Sequence, residues 1–251
     1  MRLGLKLIFS IGFIFVLSIS MVQAKCSDEP RAGVNWTGCD KSNLDLTGVD
    51  LDSAILRRAN FSNSNLSKAR LHNADFSFAT LENTNFNAAK MERVRLNNAK
   101  ITSADFSFAF IDKGRLSRAV IKQAIFKESR LNKTDFYETK CDQCQFEKAT
   151  MNQANFSRAQ MIQTNFVEIS GVAAVFNQAN LENSDFTGAN LKSAKFEESS
   201  LLKVKFNQAE LSEASIQGAE IDGANFTGAK LSSTIWVKYK RCRNGSVGEC
   251  R

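Results

Sequence analysis

The sequence predicts a solenoid of stacked short repeats. From Leu46 to Trp236, every fifth residue is a large apolar side chain, and only Gly171 and the smaller Cys141 depart from this rule. The residue two places before each large one is usually small, most often Ala, and the other positions are mainly polar. A period of five matches neither the α-helical period of 3.6 nor the strand period of 2. A fixed period is typical of stacked architectures in which each unit buries its face against its neighbours.

The repeat reads Ala, then Asn or Asp, then Leu or Phe, followed by two polar residues. Clear copies stand at residues 59–61, 74–76, 189–191 and 224–226. In this pattern the chain resembles the pentapeptide-repeat family over essentially its whole length after residue 24. The resemblance implies an all-β fold, a right-handed quadrilateral β-helix. In this β-solenoid, four pentapeptides form the four sides of each coil.

The spacing of the phenylalanines independently supports four repeats per coil. Phe recurs every twenty residues at Phe86, Phe106, Phe126, Phe146, Phe166, Phe186, Phe206 and Phe226. A three-sided coil would stack Phe86 on Ile101, so only the four-sided coil gives an unbroken ladder of rings. We also expect a weaker ladder on the opposite side, beginning at Phe76. The sizes of Ile169 and Gly171 are exchanged relative to the pattern, a volume-conserving swap that a packed core tolerates.

The sequence divides into four segments. Residues 1–24 carry a basic start, an apolar run from residue 7 to residue 19, and the small-residue cleavage pattern Val22-Gln23-Ala24, which together predict a signal peptide. We expect an N-terminal cap at 25–45, the repeat β-helix at 46–236 and a C-terminal cap at 237–251. The mature protein is therefore predicted to be periplasmic or secreted, with no transmembrane segment after signal cleavage.

The six cysteines fall into three close pairs. Cys26 with Cys39 and Cys242 with Cys250 lie in the caps, where a solenoid must protect its terminal edges. Because an exported protein meets an oxidising environment, we predict a disulfide in each cap. Cys141 and Cys144 form a C-x-x-C motif, but both occupy inward positions of the repeat. We therefore favour a buried structural pair, oxidised or not, over a redox or metal site.

No arrangement of side chains predicts an enzyme, a cofactor or a metal site. His72 is the only histidine and occupies an outward position, where a solvated surface residue is the expected role. Without a second histidine, no zinc cluster of Cys and His exists. Four aspartates, Asp75, Asp105, Asp135 and Asp185, precede an inward residue at a position where Asn is equally common. This interchange indicates a turn-forming role instead of acid–base catalysis.

Charge is the one signal that the repeat does not explain. Without Arg2 and Lys6, the 33 basic residues fall to 31 against 26 acidic ones, a net charge of +5. Basic residues concentrate between Lys90 and Lys133. In a twenty-residue coil, one column contains Arg93, Lys113 and Lys133, and the next contains Arg95 and Arg115. These five residues predict a basic stripe along one corner, either an ordinary solvated surface or an anion-binding site.

Three functions remain possible at this stage. The leading prediction is a non-enzymatic secreted structural or interaction scaffold with an unidentified protein partner. The alternative is a binding module for an anionic envelope polymer or lipid surface, acting through the basic stripe. Some pentapeptide-repeat proteins mimic DNA and bind type II topoisomerases, and this resemblance implies a third candidate. It is disfavoured because a DNA mimic needs an acidic surface and a cytosolic location, and no specific nucleic-acid binding is expected.

Overall fold

The computed structural model describes residues 25–251, so the predicted signal peptide at 1–24 lies outside the described residues. Within that range the chain contains no helix and forms a parallel β-helix. Its regular strands are short: β1 spans Thr80–Glu82, β2 Lys100–Thr102, β3 Val120–Lys122 and β4 Lys140–Asp142. They pair in parallel in the order β1-β2-β3-β4, and the remaining sides of the coils are joined by single parallel bridges.

The register confirms the predicted coil of twenty residues. Thr80 pairs with Lys100, and Lys100 with Val120. One column of bridges begins at Asn35 and continues at intervals of twenty residues to Ile235. At roughly 4.8 Å per coil, these ten steps give a rod about 48 Å long. The register begins at Asn35, so the segment 25–45 that we predict as a cap also contributes to the first coil.

The repeat at residues 86–90 satisfies all five of its backbone N–H groups. The N–H of Phe86 donates to the carbonyl of Asp105 in the next coil at 2.7 Å, and that of Ala88 to Ser107 at 2.9 Å. The N–H of Ala89 closes a turn onto Phe86 at 3.0 Å, and that of Lys90 reaches back to Ala69 at 2.9 Å. Only the N–H of Asn87 lacks a backbone acceptor, and the Oδ1 of Asn85 accepts it at 2.9 Å.

This fifth N–H explains why Asn and Asp dominate the position before the large residue. The four aspartates predicted to form turns each accept the N–H two residues later, at 2.8 to 3.1 Å: Asp75, Asp105, Asp135 and Asp185. Their predicted turn-forming role is confirmed. In some repeats whose own side chain is unsuitable, an acceptor from the previous coil replaces it. Asp112 Oδ1, for example, accepts the N–H of Asn132 at 2.9 Å.

The turn at each corner contains a residue with positive φ, two places after the large residue. Non-glycine side chains adopt this conformation throughout the rod, with φ of 60° at Asn63 and 58° at Arg93. The left-handed region costs a non-glycine residue roughly 1 to 2 kcal/mol, so the packing of the coils must hold it in place. Side chains at these positions project outward from the corners and are mostly exposed.

Stacked phenylalanine rings fill the core, as predicted. From Phe86 to Phe226, rings one coil apart stack with centroids separated by 4.5 to 5.3 Å. A second stacked run connects Phe136 to Phe196, at 4.6 to 4.8 Å. The two ladders also touch edge to face across the core; Phe126 and Phe136, for example, are 6.1 Å apart at 84°. These edge-to-face contacts connect opposite walls of the coil.

The inward positions confirm the predicted exchange of sizes. Ile169 is buried, and a Cβ placed on Gly171 would lie 3.4 Å from Ile169 Cδ1 and 3.2 Å from Leu191 Cδ2. The space that a larger residue at 171 would occupy is therefore already filled. At this pair the large and small residues exchange places, as a close-packed core tolerates.

All six cysteines form disulfides within the caps and the coil. Cys26 joins Cys39 with a Cα–Cα distance of 5.4 Å, and Cys242 joins Cys250 at 4.8 Å. Cys141 and Cys144 are fully buried and also joined, in keeping with a structural pair. At the C-terminal end, two antiparallel bridges, Lys230 with Val247 and Ile235 with Arg241, fold the tail over the last coil.

We predict that Phe146→Ala lowers the free energy of unfolding by roughly 3 to 5 kcal/mol. Phe146 stacks on Phe126 at 4.8 Å and on Phe166 at 5.1 Å, and no solvent reaches it. Lys195→Ala, an outward and exposed change, should leave stability nearly unchanged. Thermal melting of the two variants measures the difference. Equal melting temperatures would contradict the assigned register.

A second prediction concerns the turn at Asp185. Burial opposes ionisation of this carboxyl, but hydrogen bonds from Thr187 and Lys205 hold its pKa below the usual value. A lowered pKa stabilises the folded state above the unfolded value of about 3.9, and this contribution disappears as pH falls through the folded pKa. Asp185→Asn keeps the Oδ1 acceptor and removes the titration. Its melting temperature should therefore fall less than the wild type's between about pH 7 and about pH 3.

The matched variant Asp185→Ala removes the acceptor altogether and should cost about 0.5 to 1.5 kcal/mol at neutral pH. If Asp185→Ala and Asp185→Asn were equally stable, the side-chain acceptor would not be what closes this turn.

The cap pairing can be checked directly in protein exported to an oxidising compartment. We expect a non-reduced digest to yield peptides linked through Cys26 with Cys39 and through Cys242 with Cys250. Short closed loops of this kind contribute about 2 to 3 kcal/mol each on the chain-entropy estimate. Free thiols at these four positions in the mass spectrum would be incompatible with the pairing.

Candidate functional site: the basic corner

Two adjacent columns of cationic side chains meet at one corner of the rod, which we call the basic corner: Arg93, Arg95, Lys113, Arg115 and Lys133. Arg93, Lys113 and Lys133 occupy the positive-φ turn position of three successive coils, with φ of 58°, 60° and 57°. Arg95 and Arg115 lie two residues further along and form a parallel bridge with each other. All five side chains are exposed.

Four of these five residues surround a shallow surface cavity of about 280 Å³. Its lining consists of Asn73, Arg93, Arg95, Lys113 and Arg115. Lys133 lies one coil beyond Lys113 in the same column and does not line the cavity. Asn73 was not predicted, although it stands twenty residues before Arg93 and so belongs to the same column. It adds a neutral amide to a wall that is otherwise cationic.

The backbone beneath the cavity is fixed by tight packing around Gly114, which lies between Lys113 and Arg115. A Cβ at this position would come within 2.8 Å of Ile111 Cγ2 and 2.9 Å of the Ile111 carbonyl oxygen. Val94, at the same inward position one coil earlier, is 3.4 Å from that point and occupies the space. Glycine thus permits a close approach that anchors the two cationic residues on either side of it.

The cations lining the cavity are almost free of counter-charges. Arg95 Nη1 lies 3.9 Å from Asp75 Oδ2. Arg93, Lys113 and Arg115 make no ion pair and no side-chain hydrogen bond with any other residue of 25–251, and the same holds for the side chain of Asn73. The hydrogen-bond donors of the corner are therefore almost entirely available to a ligand.

Two carboxylates lie near the corner, and neither is paired with a cation of the cavity. Asp112 precedes Lys113; its Oδ1 accepts the N–H of Asn132 and its Oδ2 pairs with Arg130. Glu92 precedes Arg93, and its Oε2 lies 2.6 Å from Nδ1 of His72. These acids therefore interact with neighbours other than the cations of the cavity.

Aspartates also limit the Arg95–Arg115 column at both ends. Asp75, on the preceding coil, is bridged to Arg95, and Asp135, on the following coil, is bridged to Arg115. Asp135 Oδ1 accepts from Tyr137 and Asn155, and its Oδ2 accepts from the hydroxyl of Ser117. Both oxygens of Asp135 thus have hydrogen-bond donors, and Arg115 is not one of them. The basic column is confined to two coils, the same two whose arginines line the cavity.

Elsewhere on the rod, many cations have acidic partners. Lys205 Nζ lies 3.2 Å from Asp185 Oδ2, and Lys230 Nζ lies 3.4 Å from Glu210 Oε2. Arg118 Nε lies 2.8 Å from Glu138 Oε2. The basic corner thus differs from these parts of the surface because most of its cations are unpaired and because they are densely placed.

The remaining candidate groups lie outside the corner. His72 is about a third exposed and lies against Glu92, so it is less solvated than predicted. Within residues 25–251, no cluster of three or more His, Cys, Asp or Glu side chains has the arrangement needed to hold a metal ion. The described part of the chain also contains no helix of the length and apolarity needed to cross a membrane.

Comparison with known protein families and solved structures gives the same architecture. The family described as pentapeptide repeats (8 copies) matches overlapping segments from residue 32 to residue 153, and the pentapeptide repeat region family matches residues 139–226. No curated protein sequence matches the chain.

Among solved structures, HetL from the cyanobacterium Nostoc sp., a pentapeptide repeat protein involved in the regulation of heterocyst differentiation, is 23% identical, with a TM-score of 0.55. The match covers 84% of this chain and 92% of HetL. QnrB1, a plasmid-mediated fluoroquinolone resistance protein, is 19% identical, with a TM-score of 0.49 over 72% of this chain and 88% of its own. The fold is the right-handed quadrilateral β-helix, and the chain belongs to the pentapeptide-repeat family.

Proposed function

We propose that this protein is a non-enzymatic interaction scaffold outside the cytoplasm that binds an anionic partner through the basic corner. The single observation that carries the proposal is a cavity lined by four cationic side chains, only one of which has a carboxylate within ion-pair distance. Unpaired positive charges in a concave surface attract anions by raising their local concentration. The partner class that fits best is an anionic component of the cell envelope.

The proposed location rests on two features. The first 24 residues have the organisation of a signal peptide. The three disulfides are compatible with an oxidising compartment, since they are rare in reducing ones. The positive charge of the basic corner argues against a DNA mimic, because a protein that imitates DNA must present a negatively charged surface.

A protein-binding rod without an anionic ligand is the second candidate. One outward column repeats the same side chain on three successive coils, Gln123, Gln143 and Gln163, whose amides join in a hydrogen-bonded ladder. Such a regular polar surface suits the docking of an extended partner, but it has no unpaired charge that would select a particular partner.

Binding to heparin, used as a polyanion probe, tests the anionic partner. We expect binding that weakens steeply with salt, because screening shortens from about 10 Å at 0.1 M to about 3 Å at 1 M. The double variant Lys113→Glu with Arg115→Glu should lose far more affinity than Lys203→Glu with Lys205→Glu, although both change the net charge equally.

The control pair lies in the acidic second half, where Lys205 is already paired with Asp185. Melting curves should show that both double variants remain folded. Equal losses of heparin affinity would reduce the corner to ordinary solvated charge and would refute the proposed binding role.

A further inference from the structure

We propose that the cavity of the basic corner binds one tetrahedral oxyanion, a phosphate or sulfate group. This inference rests on the anion-binding role proposed above and names the chemistry that the site recognises. A diffuse patch of surface charge would bind any polyanion. The arrangement of the lining residues is more selective than that.

The size of the cavity is the first argument. At about 280 Å³ it lies at the lower end of the sizes of ligand pockets, roughly 300 to 1,000 Å³. Its lining contains no aromatic or aliphatic residue that would stack on a sugar ring or hold an acyl chain. The site is therefore suited to a small charged group, and the remainder of any larger ligand would lie along the surface of the rod.

The identity of the cations is the second argument. Three of the four are arginines, and Arg95 and Arg115 come from directly bridged positions on adjacent coils. The planar guanidinium donates two parallel hydrogen bonds to a phosphate or sulfate, whereas an ammonium acts as a point charge. Arginines spaced by one coil, about 4.8 Å apart along the axis, can approach different oxygens of the same group.

Uncommitted donors are the third argument. The guanidinium groups of Arg93 and Arg115, the ammonium of Lys113 and the amide of Asn73 have no side-chain partner within residues 25–251. A tetrahedral oxyanion has enough acceptor oxygens to bind them together, whereas a carboxylate offers only two oxygens in one plane. The close packing around Gly114 holds the backbone from which the side chains of Lys113 and Arg115 extend.

The decisive variant conserves charge. In the double variant Arg95→Lys with Arg115→Lys, net charge is unchanged but the bidentate donors are lost. The matched control, Arg118→Lys with Arg158→Lys, makes the same change at two arginines beside Glu138, away from the cavity. Calorimetric titration of the oxidised full-length mature protein with inorganic phosphate, sulfate and acetate gives the affinities.

We expect phosphate and sulfate to bind more tightly than acetate. We also expect Arg95→Lys with Arg115→Lys to lose about tenfold in phosphate affinity, equivalent to ~1.4 kcal/mol, while the control pair loses none. Heparin binding at low salt should survive in this variant, because its net charge is conserved. Acetate binding as tight as phosphate, or unchanged phosphate affinity in the lysine variant, would overturn the oxyanion site.

The two proposals fail separately. Wild-type protein that binds heparin but binds acetate as tightly as phosphate would remove the oxyanion site and leave the anion-binding scaffold. Equal heparin losses in the two charge-reversal variants would remove the scaffold's anionic partner. The source of the group is distinguished by vesicles of phosphatidylcholine with and without phosphatidic acid. Binding to the acidic vesicles that inorganic phosphate displaces indicates a lipid headgroup, and phosphate binding without vesicle binding indicates a soluble or polymer-borne group.

Discussion

The closed, four-sided coil is the constraint on which the rest of this structure depends. Each side of the square has room inside for one large and one small residue, and each repeat must satisfy five backbone N–H groups without a helix. Neighbouring coils accept three of these N–H groups and the turn carbonyl accepts a fourth. Where the fifth is bonded, a side-chain oxygen accepts it, most often that of the Asn or Asp before the large residue. The interior therefore dictates most of each repeat and leaves the outward residues free to vary.

That freedom explains how a uniform rod can carry a local site. The turn position that holds Arg93 and Lys113 also accepts glycine, asparagine and glutamate elsewhere, provided that the residue tolerates positive φ. Stacking places the same position of successive coils in a column, so a change at intervals of twenty residues creates a continuous stripe. In the basic corner, the acids that would neutralise such a stripe instead complete turns or pair with other neighbours, as Asp112 does with Asn132 and Arg130.

Much of this could be predicted from the sequence, because the features concerned are periodic. The twenty-residue recurrence of Phe indicates that each coil has four sides. The interchange of Asp and Asn before the large residue, as at Asp75, indicates that this position forms a turn. The edge-to-face contacts between Phe126 and Phe136 depend on ring orientation, which the period does not contain. For the same reason the sequence predicts a stripe of five cations but not a cavity that omits Lys133 and includes Asn73, since side-chain conformation decides which residues meet. The contact between His72 and Glu92 also depends on side-chain conformation, so the sequence does not predict it.

The stability of two deletion variants tests the twenty-residue coil most directly. Removing residues 181–200 deletes one whole coil, so Phe166 would stack on Phe206 and every later column would keep its register. Removing residues 196–200 deletes one side, so Phe206 would stack on Leu181 and the C-terminal cap would rotate to the neighbouring face. Thermal melting should show a cooperative transition close to that of the wild type for the longer deletion and a much lower melting temperature for the shorter one. A five-residue deletion as stable as the twenty-residue deletion would contradict the four-sided coil.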